Sequence, residues 1–287
     1  MKKFRMSSKK STSLRDKRCV VFGGAGSIGS ELVRQLSEHN KVYVVDINES
    51  GIFDLTDSLG ENVWGRVGDI RDAKTVHDVF EDFRPQYVFN CAAYKHVPLM
   101  EYTPLEAIQT NVVGHYNLIH SAKTHRETVE KFVFVSTDKV VSSHSVMGAT
   151  KRLGEIITLN QGDGYIAVRF GNVMNSRGSL MQIWQRQHDK GEPLTVTDER
   201  MERYMMTIPE AVSLIIEAAT QGSGGEVFVM DMGKKVNIMD LALAIIKDGG
   251  GTVKVTGLRP GETLTEELMT EEEENRAIKK GNFWVIK

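Results

Sequence analysis

The stretch STDKVVSSHSVMGATKR, residues 136–152, gathers the residue types from which proton transfer is built. Two hydroxyls, Ser136 and Thr137, close an apolar strand-like run. A carboxylate and an amine, Asp138 and Lys139, stand side by side behind them, and a second amine, Lys151, follows on a helical pattern. A carboxylic acid can give a proton and a neutral amine can take one, provided burial and neighbouring charge bring each into the required form. An ion pair between the two opposes both adjustments, so Asp138 and Lys139 are expected to titrate as one unit. The plain alternative is a loop salt bridge. Met147, four residues before Lys151, can move no proton and reads as an apolar wall.

A second chemical signal lies upstream, in VVFGGAGSIGSELV at 20–33. Gly23, Gly26 and Gly29 permit a tight turn, a close approach of backbone to a pyrophosphate and close helix–strand packing. Ser27 and Ile28 open a helix whose N-terminal N–H groups offer themselves to an anion. Asp46 ends the next strand, 17 residues after Gly29, where a carboxylate accepts a hydrogen bond from a free ribose 2′-hydroxyl and repels a 2′-phosphate. Ile47 and Asn48 bring no cation for such a phosphate, so NAD is expected rather than NADP. Asp69 and Ile70, in GDIRD, fall where an adenine edge would lie; the alternative for Asp69 is a helix cap.

The elements that must position these groups alternate through the first two-thirds of the chain. Apolar runs CVVFGG, KVYVVD, VWGRVGD, YVFNCAA, KFVFVST and YIAVRF read as strands, separated by amphipathic helix patterns such as GSELVRQLSEH and AKTVHDVFEDF. Residues 103–125 read as one longer helix. This is the pattern of an α/β fold, a doubly wound parallel sheet of the Rossmann type. After about residue 173 the pattern loosens into a smaller C-terminal substrate-binding lobe. The expected division is a flexible basic tail at 1–16, a nucleotide-binding domain at 17–173 and 205–233, and the lobe at 174–204 and 234–287. EVFVMDMG reads as the last strand of the main sheet. The run TEEEEN reads as a solvated helix face without a role, and DGGG at 248–251 as a turn.

Bulk properties exclude several classes. The chain has 287 residues, 40% hydrophobic, with a formal net charge of -2, which gives no electrostatic reason to expect nucleic acid or an anionic membrane. No run approaches the roughly 20 apolar residues of a membrane helix, so no membrane insertion is expected. The basic start has no apolar segment behind it to make a secretory signal. Cys19 and Cys91 sit in apolar runs and read as buried thiols in a reducing compartment, the cytoplasm. No His/Cys/Asp cluster has metal-ligand spacing, so no metal is expected.

Four further segments narrow the reading: NCAAYKHVPLMEYTPLEAIQTNVVG, RFGNVMNSRGSL, TVTDERMERYMMTIPEAV and GLRPGETLTEEL. With GGAGSIG, STDK and MGATK, they resemble extended short-chain dehydrogenase/reductases, and within these the 4,6-dehydratases of UDP-N-acetylglucosamine. The resemblance runs from about residue 18 to 270. The wider superfamily carries tyrosine at the Met147 position; the methionine resembles the branch of the family that retains the sugar's C5 configuration. That resemblance implies oxidation of the C4 hydroxyl by NAD, loss of water across C5 and C6, and return of hydride to C6. It implies Lys139 as the C5 base, Asp138 as the acid for the C6 hydroxyl, Thr137 as a hydrogen-bond partner of O4, and Lys151 at the nicotinamide ribose. Asp138, or a water held by Thr137 and Lys151, would take the O4 proton.

The same resemblance implies cofactor contacts from Ala92, Ala93, Lys95, Asn111 and Val173, with a helix-kink role as the rival for Asn111. For the UDP-sugar it implies Lys95, His96, Asn172, Arg177, Gly178, Ser179, Thr195, Arg203, Arg259 and Glu262. Arg259 would clamp the diphosphate and Glu262 would meet the uridine ribose. A homo-oligomer is expected. The alternatives are an inverting dehydratase, a 4-epimerase, which needs no elimination pair, and a catalytically silent NAD-binding sensor.

Overall fold

The computed structural model describes residues 14–287; all but the last three residues of the expected basic tail lie outside the described residues. The first half alternates β1 (Arg18–Phe22), α1 (Ser27–Ser37), β2 (Lys41–Asp46), α2 (Glu49–Leu59), β3 (Val63–Val67), α3 (Ala73–Phe83) and β4 (Tyr87–Asn90). There follow α4 (Val97–Tyr102), α5 (Pro104–Ile108), α6 (His115–Thr124), β5 (Lys131–Val135), α7 (Val146–Leu159) and β6 (Tyr165–Arg169). The remainder runs β7 (Asn172–Val173), α8 (Leu180–Asp189), β8 (Leu194–Val196), β9 (Glu202–Arg203), β10 (Met205–Met206), α9 (Ile208–Gln221) and β11 (Glu226–Met230). It ends with β12 (Val236–Asn237), α10 (Ile238–Gly249), β13 (Val253–Val255), α11 (Glu271–Arg276), β14 (Ile278–Lys280) and β15 (Phe283–Ile286).

Nine strands form one sheet in the order β14-β15-β11-β6-β5-β4-β1-β2-β3. The seven from β11 to β3 are parallel. Both faces of the central strands are covered, which is why β1 and β5 are continuous apolar runs rather than alternating ones. One face packs Leu32, Ile52 and Ile215 from α1, α2 and α9, and the other packs Phe80, Leu118 and Ile119 from α3 and α6. Each fully buried side chain of this size contributes about 1.5–3 kcal/mol. Strand order reverses between β1 and β4, so a crevice opens beyond their C-terminal ends, the place where such sheets bind ligands.

The structure corrects the sequence reading at three places. The closing segment, assigned to the lobe, returns instead to the sheet: β15 pairs antiparallel with β11, and β14 with β15. The helix expected over 103–125 is present but is interrupted by a π-turn at Gln109–Gly114. TEEEEN does form a helix, α11, but Glu273 within it is buried and bonded to Arg169. The lobe itself is small, with β8 on β13, β9 on β12, and Trp184, Leu194, Met201 and Ile238 in its core. No helix among the described residues is long and apolar enough to cross a membrane.

Candidate active site

The glycine-rich loop links β1 to α1 at the crevice. Gly23 has φ +74°, and a Cβ there would lie 2.5 Å from Ala92 N. One on Gly29 would lie 2.2 Å from Gly23 O, so no side chain fits at either place. Gly26 caps α1 without a side-chain hydrogen bond, which leaves the first-turn N–H groups free to meet an anion. Around the loop a cleft of about 220 Å³ is walled by Gly23, Gly26, Asp46, Asp69, Ile70, Ala92, Ala93, Thr110 and Arg177, among others.

Asp46 accepts from Ala25 N at 3.0 Å and from Asn48 N at 2.9 Å, which fixes its carboxylate at the cleft wall. Asn48 does not line that cleft; its side-chain oxygen caps α2 by accepting from Gly51 N. Asp69 is paired with Arg71, whose hydrogen bonds hold the carboxyl below its ordinary range. Arg71 also meets Glu106 at 3.0 Å, so two carboxylates neutralise its charge at this wall of the cleft. The cleft therefore fits a dinucleotide with a free ribose hydroxyl: close backbone for the pyrophosphate, a fixed carboxylate for the ribose. Ile28 and Val173 stand behind the loop, packed against the core. Asn111, expected at the cofactor, is spent on protein groups: it bonds Tyr94 N, Tyr94 O and Thr150 Oγ1. It sits in the π-turn and ties the loop after β4 to α7, its rival role.

Beyond β5 the proton-bearing residues come together. Asp138 is wholly buried. Its Oδ1 accepts from Thr137 Oγ1 and from Lys139 Nζ, both at 2.9 Å. Its Oδ2 is buried with no hydrogen-bond partner among the described residues. Lys139 Nζ also donates to Asn172 Oδ1 at 3.3 Å and stands 3.8 Å from Glu266 Oε1. Lys151 is buried on α7, donates to Val135 O and sits 4.0 Å over the Phe134 ring. Burial pushes its amine down to about 8. Met147, on the first turn of α7, is 3% exposed and packs with Met100 and Ala107.

A third group converges from the loops. Lys95 donates to Ser176 Oγ at 3.3 Å, and burial pushes its amine down. His96 lies against Gly178, and burial together with the charges of Lys95 and Arg259 pushes its ring down. Arg177 N donates to Ser27 Oγ, which closes the 176–179 loop over the glycine loop. Ser179 starts α8 with a buried hydroxyl that has no partner among the described residues. Arg259 pairs with Glu262 through Nε at 3.0 Å, so these two residues hold each other.

Two expected substrate residues are placed otherwise. Arg203 is buried and donates to the backbone oxygens of Glu202, Thr263 and Leu264, which pins the lobe's loop. Thr195 bonds the side chain of Gln187 within the lobe. Conversely, Glu266 stands beside Lys139 and the Thr110 hydroxyl, without a partner among the described residues, lines the cleft, and neither was singled out from the sequence. Far from the cleft, where no metal group was expected, His77, Glu81 and His125 come together.

Known proteins match this chain in sequence and in fold. The family model described as "Polysaccharide biosynthesis protein" matches residues 19–287. The chain is 42% identical over 281 residues to the capsular polysaccharide biosynthesis protein CapD of Staphylococcus aureus, covering 92% of this chain and 47% of CapD. It thus spans about half the length of that relative. Among solved structures, Pen from Bacillus thuringiensis superposes with a TM-score of 0.88 at 35% identity, covering 95% of this chain and 88% of Pen. The UDP-glucose 4-epimerase of Thermus thermophilus, determined in complex with NAD, shares the fold with a TM-score of 0.76 at 23% identity, covering 88% and 90% of the two chains.

Proposed function

The chain belongs to the polysaccharide biosynthesis protein family, and from that premise we propose that it dehydrates UDP-N-acetylglucosamine to UDP-2-acetamido-2,6-dideoxy-D-xylo-4-hexulose. The observation that carries the reading is the buried Asp138 carboxylate, with one oxygen shared between Thr137 and Lys139 and the other without a partner among the described residues. An unsatisfied buried acceptor costs roughly 1–3 kcal/mol, a cost that a proton-carrying role explains and a plain salt bridge does not. The glycine loop and Asp46 would hold NAD, which would supply the hydride acceptor for C4 and, once reduced, the hydride donor for C6.

The Thr137 hydroxyl already points its proton at Asp138 and accepts from Lys139 N at 3.4 Å, which leaves one lone pair to receive the C4 hydroxyl. Loss of the O4 proton then runs through Thr137 to Asp138 without tyrosine. Lys139, once its ammonium has released its own proton to solvent, takes the C5 proton as a neutral amine, and protonated Asp138 gives its proton to the C6 hydroxyl as that group leaves as water. Lys151 stays at the nicotinamide-ribose side, and Met147 walls off the edge where other enzymes of this layout place tyrosine. Lys95, His96, Asn172, Arg177, Gly178 and Ser179 hold the sugar and diphosphate, while Arg259 and Glu262 exchange their mutual bond for diphosphate and ribose. Thr195 and Arg203 support the lobe from behind.

Since Met147 offers no proton carrier, the C5 proton leaves and returns on the Lys139 face and the configuration is kept. Incubation with UDP-N-acetylglucosamine in D₂O tests this by mass and NMR. Loss of one water with deuterium at C5 in the D-xylo pattern supports the reading, and an L-arabino product overturns the retention. An isomer of unchanged mass would establish the second reading, a 4-epimerase. Unchanged sugar would indicate a silent NAD-binding module. The two free thiols suit the cytoplasm. Exposed Leu105, Ile108, Tyr116, Leu153 and Ile156 on neighbouring helices α5 to α7 suit a second copy of the chain.

A further inference from the structure

In each crossover of a parallel sheet the strand runs toward the ligand crevice and the following helix runs back, so helix C-terminal ends lie at the opposite end of the molecule. The C-terminal half of α3 meets the end of α6 there. His77 and Glu81 stand four apart on α3 and so share one face; His125 follows α6. Their ligand atoms all lie within 4.8 Å of one another.

The hydrogen bonds of His125 make this more than proximity. The ring is buried, and its Nδ1 lies 2.8 Å from Ser121 O. A carbonyl only accepts, so Nδ1 carries the ring proton and donates. Nε2 then faces Glu81 Oε1 at 3.0 Å. An imidazole lone pair and a carboxylate cannot meet at that distance unless a cation stands between them. A proton would suffice for the pair alone. The third group argues for more: His77 Nε2 lies 3.9 Å from the same oxygen, where a proton already shared by two atoms has no use for it and a metal ion does. Ligand atoms around a tetrahedral zinc are about 3.3 Å apart. His77 is exposed, so a rotamer change can bring it in. The bond from Nδ1 to Ser121 O is the outer contact that orients a ligating histidine.

We propose that His77, Glu81 and His125 form a site for a divalent late first-row transition-metal ion, Zn²⁺ in the first instance, with a fourth position open to water. Two imidazoles and one carboxylate suit such ions rather than Mg²⁺ or Ca²⁺, which take oxygen donors. The ion would clip α3 to the turn after α6, two elements otherwise joined by side-chain packing, and stabilise the fold by binding only the native state.

The test is calorimetric titration of the EDTA-treated full chain with ZnCl₂, together with thermal unfolding with and without the metal. One equivalent should bind and raise Tm. His77→Ala and Glu81→Gln alter exposed side chains that the core does not need, and each should weaken binding at least tenfold and remove the Tm shift. A chain that takes up no zinc overturns the proposal, as does binding that survives unchanged in both variants.

Discussion

Two places in this molecule set one cation between two carboxylates in the interior, and they are built to opposite ends. At Arg169 every N–H is used: Nε and Nη2 go to Glu155, Nη1 and Nη2 to Glu273, and Nη1 also to Leu268 O. The planar fork matches both carboxylates, and β6, α7 and α11 are fastened together by it. Around Lys139 the fit is open. The ammonium touches Asp138 and Asn172, Glu266 stands back at 3.8 Å, and one oxygen of Asp138 has no partner among the described residues. A closed network holds structure. An open one, beside a crevice, has capacity left for a reacting group.

The comparison can be broken by exchanging the expected losses. Lys139→Ala and Asp138→Asn should each lower turnover about 10⁴-fold, roughly 5 kcal/mol of barrier, while NAD affinity stays nearly constant. Near-normal turnover in either variant, measured with UDP-N-acetylglucosamine, would remove the distinction. Arg169→Ala should do the reverse. It leaves two buried carboxylates with only the more exposed Arg152, at 3.0 Å from Glu155 and 3.7 Å from Glu273, as countercharge, and should cost about 3 kcal/mol of stability, read from denaturant midpoints. A chain as stable as the parent would show that this network does not hold the fold.

Lys151 sharpens the contrast through pH. Burial lowers its amine from 10.5 to about 8. Between these values the unfolded chain holds the proton and the native chain does not, so native stability rises with pH across this window. Below about 8 both states are protonated and the cost of burial is felt in full. Relative to Lys151→Met, the parent should therefore gain up to about 3 kcal/mol from pH 8 to 10.5. A constant difference between the two chains would mean that Lys151 is not held in an apolar setting. The smallest effect is expected at Asp46→Ala, which should weaken NAD binding about tenfold, or 1.4 kcal/mol. Unchanged affinity would refute the ribose contact.

How much of this was legible depended on whether a local pattern carried the information. β1, β2, β4, β5 and β6 announced themselves because strands buried on both faces must be continuous apolar runs. The glycine loop and Asp46 were readable because a pyrophosphate constrains backbone at fixed spacing. Thr137, Asp138 and Lys139 stood at a strand end and stayed together. Glu266 did not show, since it lies in an irregular loop where nothing in TLTEEL tells which glutamate turns inward. Arg203 misled for the converse reason: an arginine in a substrate-like motif gives no sign that backbone carbonyls will absorb it. Glu273 was hidden inside a run of like charges, and its partner Arg169 lies 104 residues away. The return of β14 and β15 to the sheet was likewise a long-range pairing without a local mark.

That return has a mechanical consequence. A chain that enters the lobe after β7, comes back for β10, α9 and β11, leaves again, and rejoins the sheet at β14 holds the lobe by several crossings instead of one linker. Arg203 on Thr263 and Leu264, and Arg169 on Leu268 and Glu273, rivet two of those crossings to their neighbours. A body tethered this way turns only if all of its crossings bend together, so the least constrained segments at the crevice are the short loops, such as 176–179, held there by the single bond from Arg177 N to Ser27 Oγ.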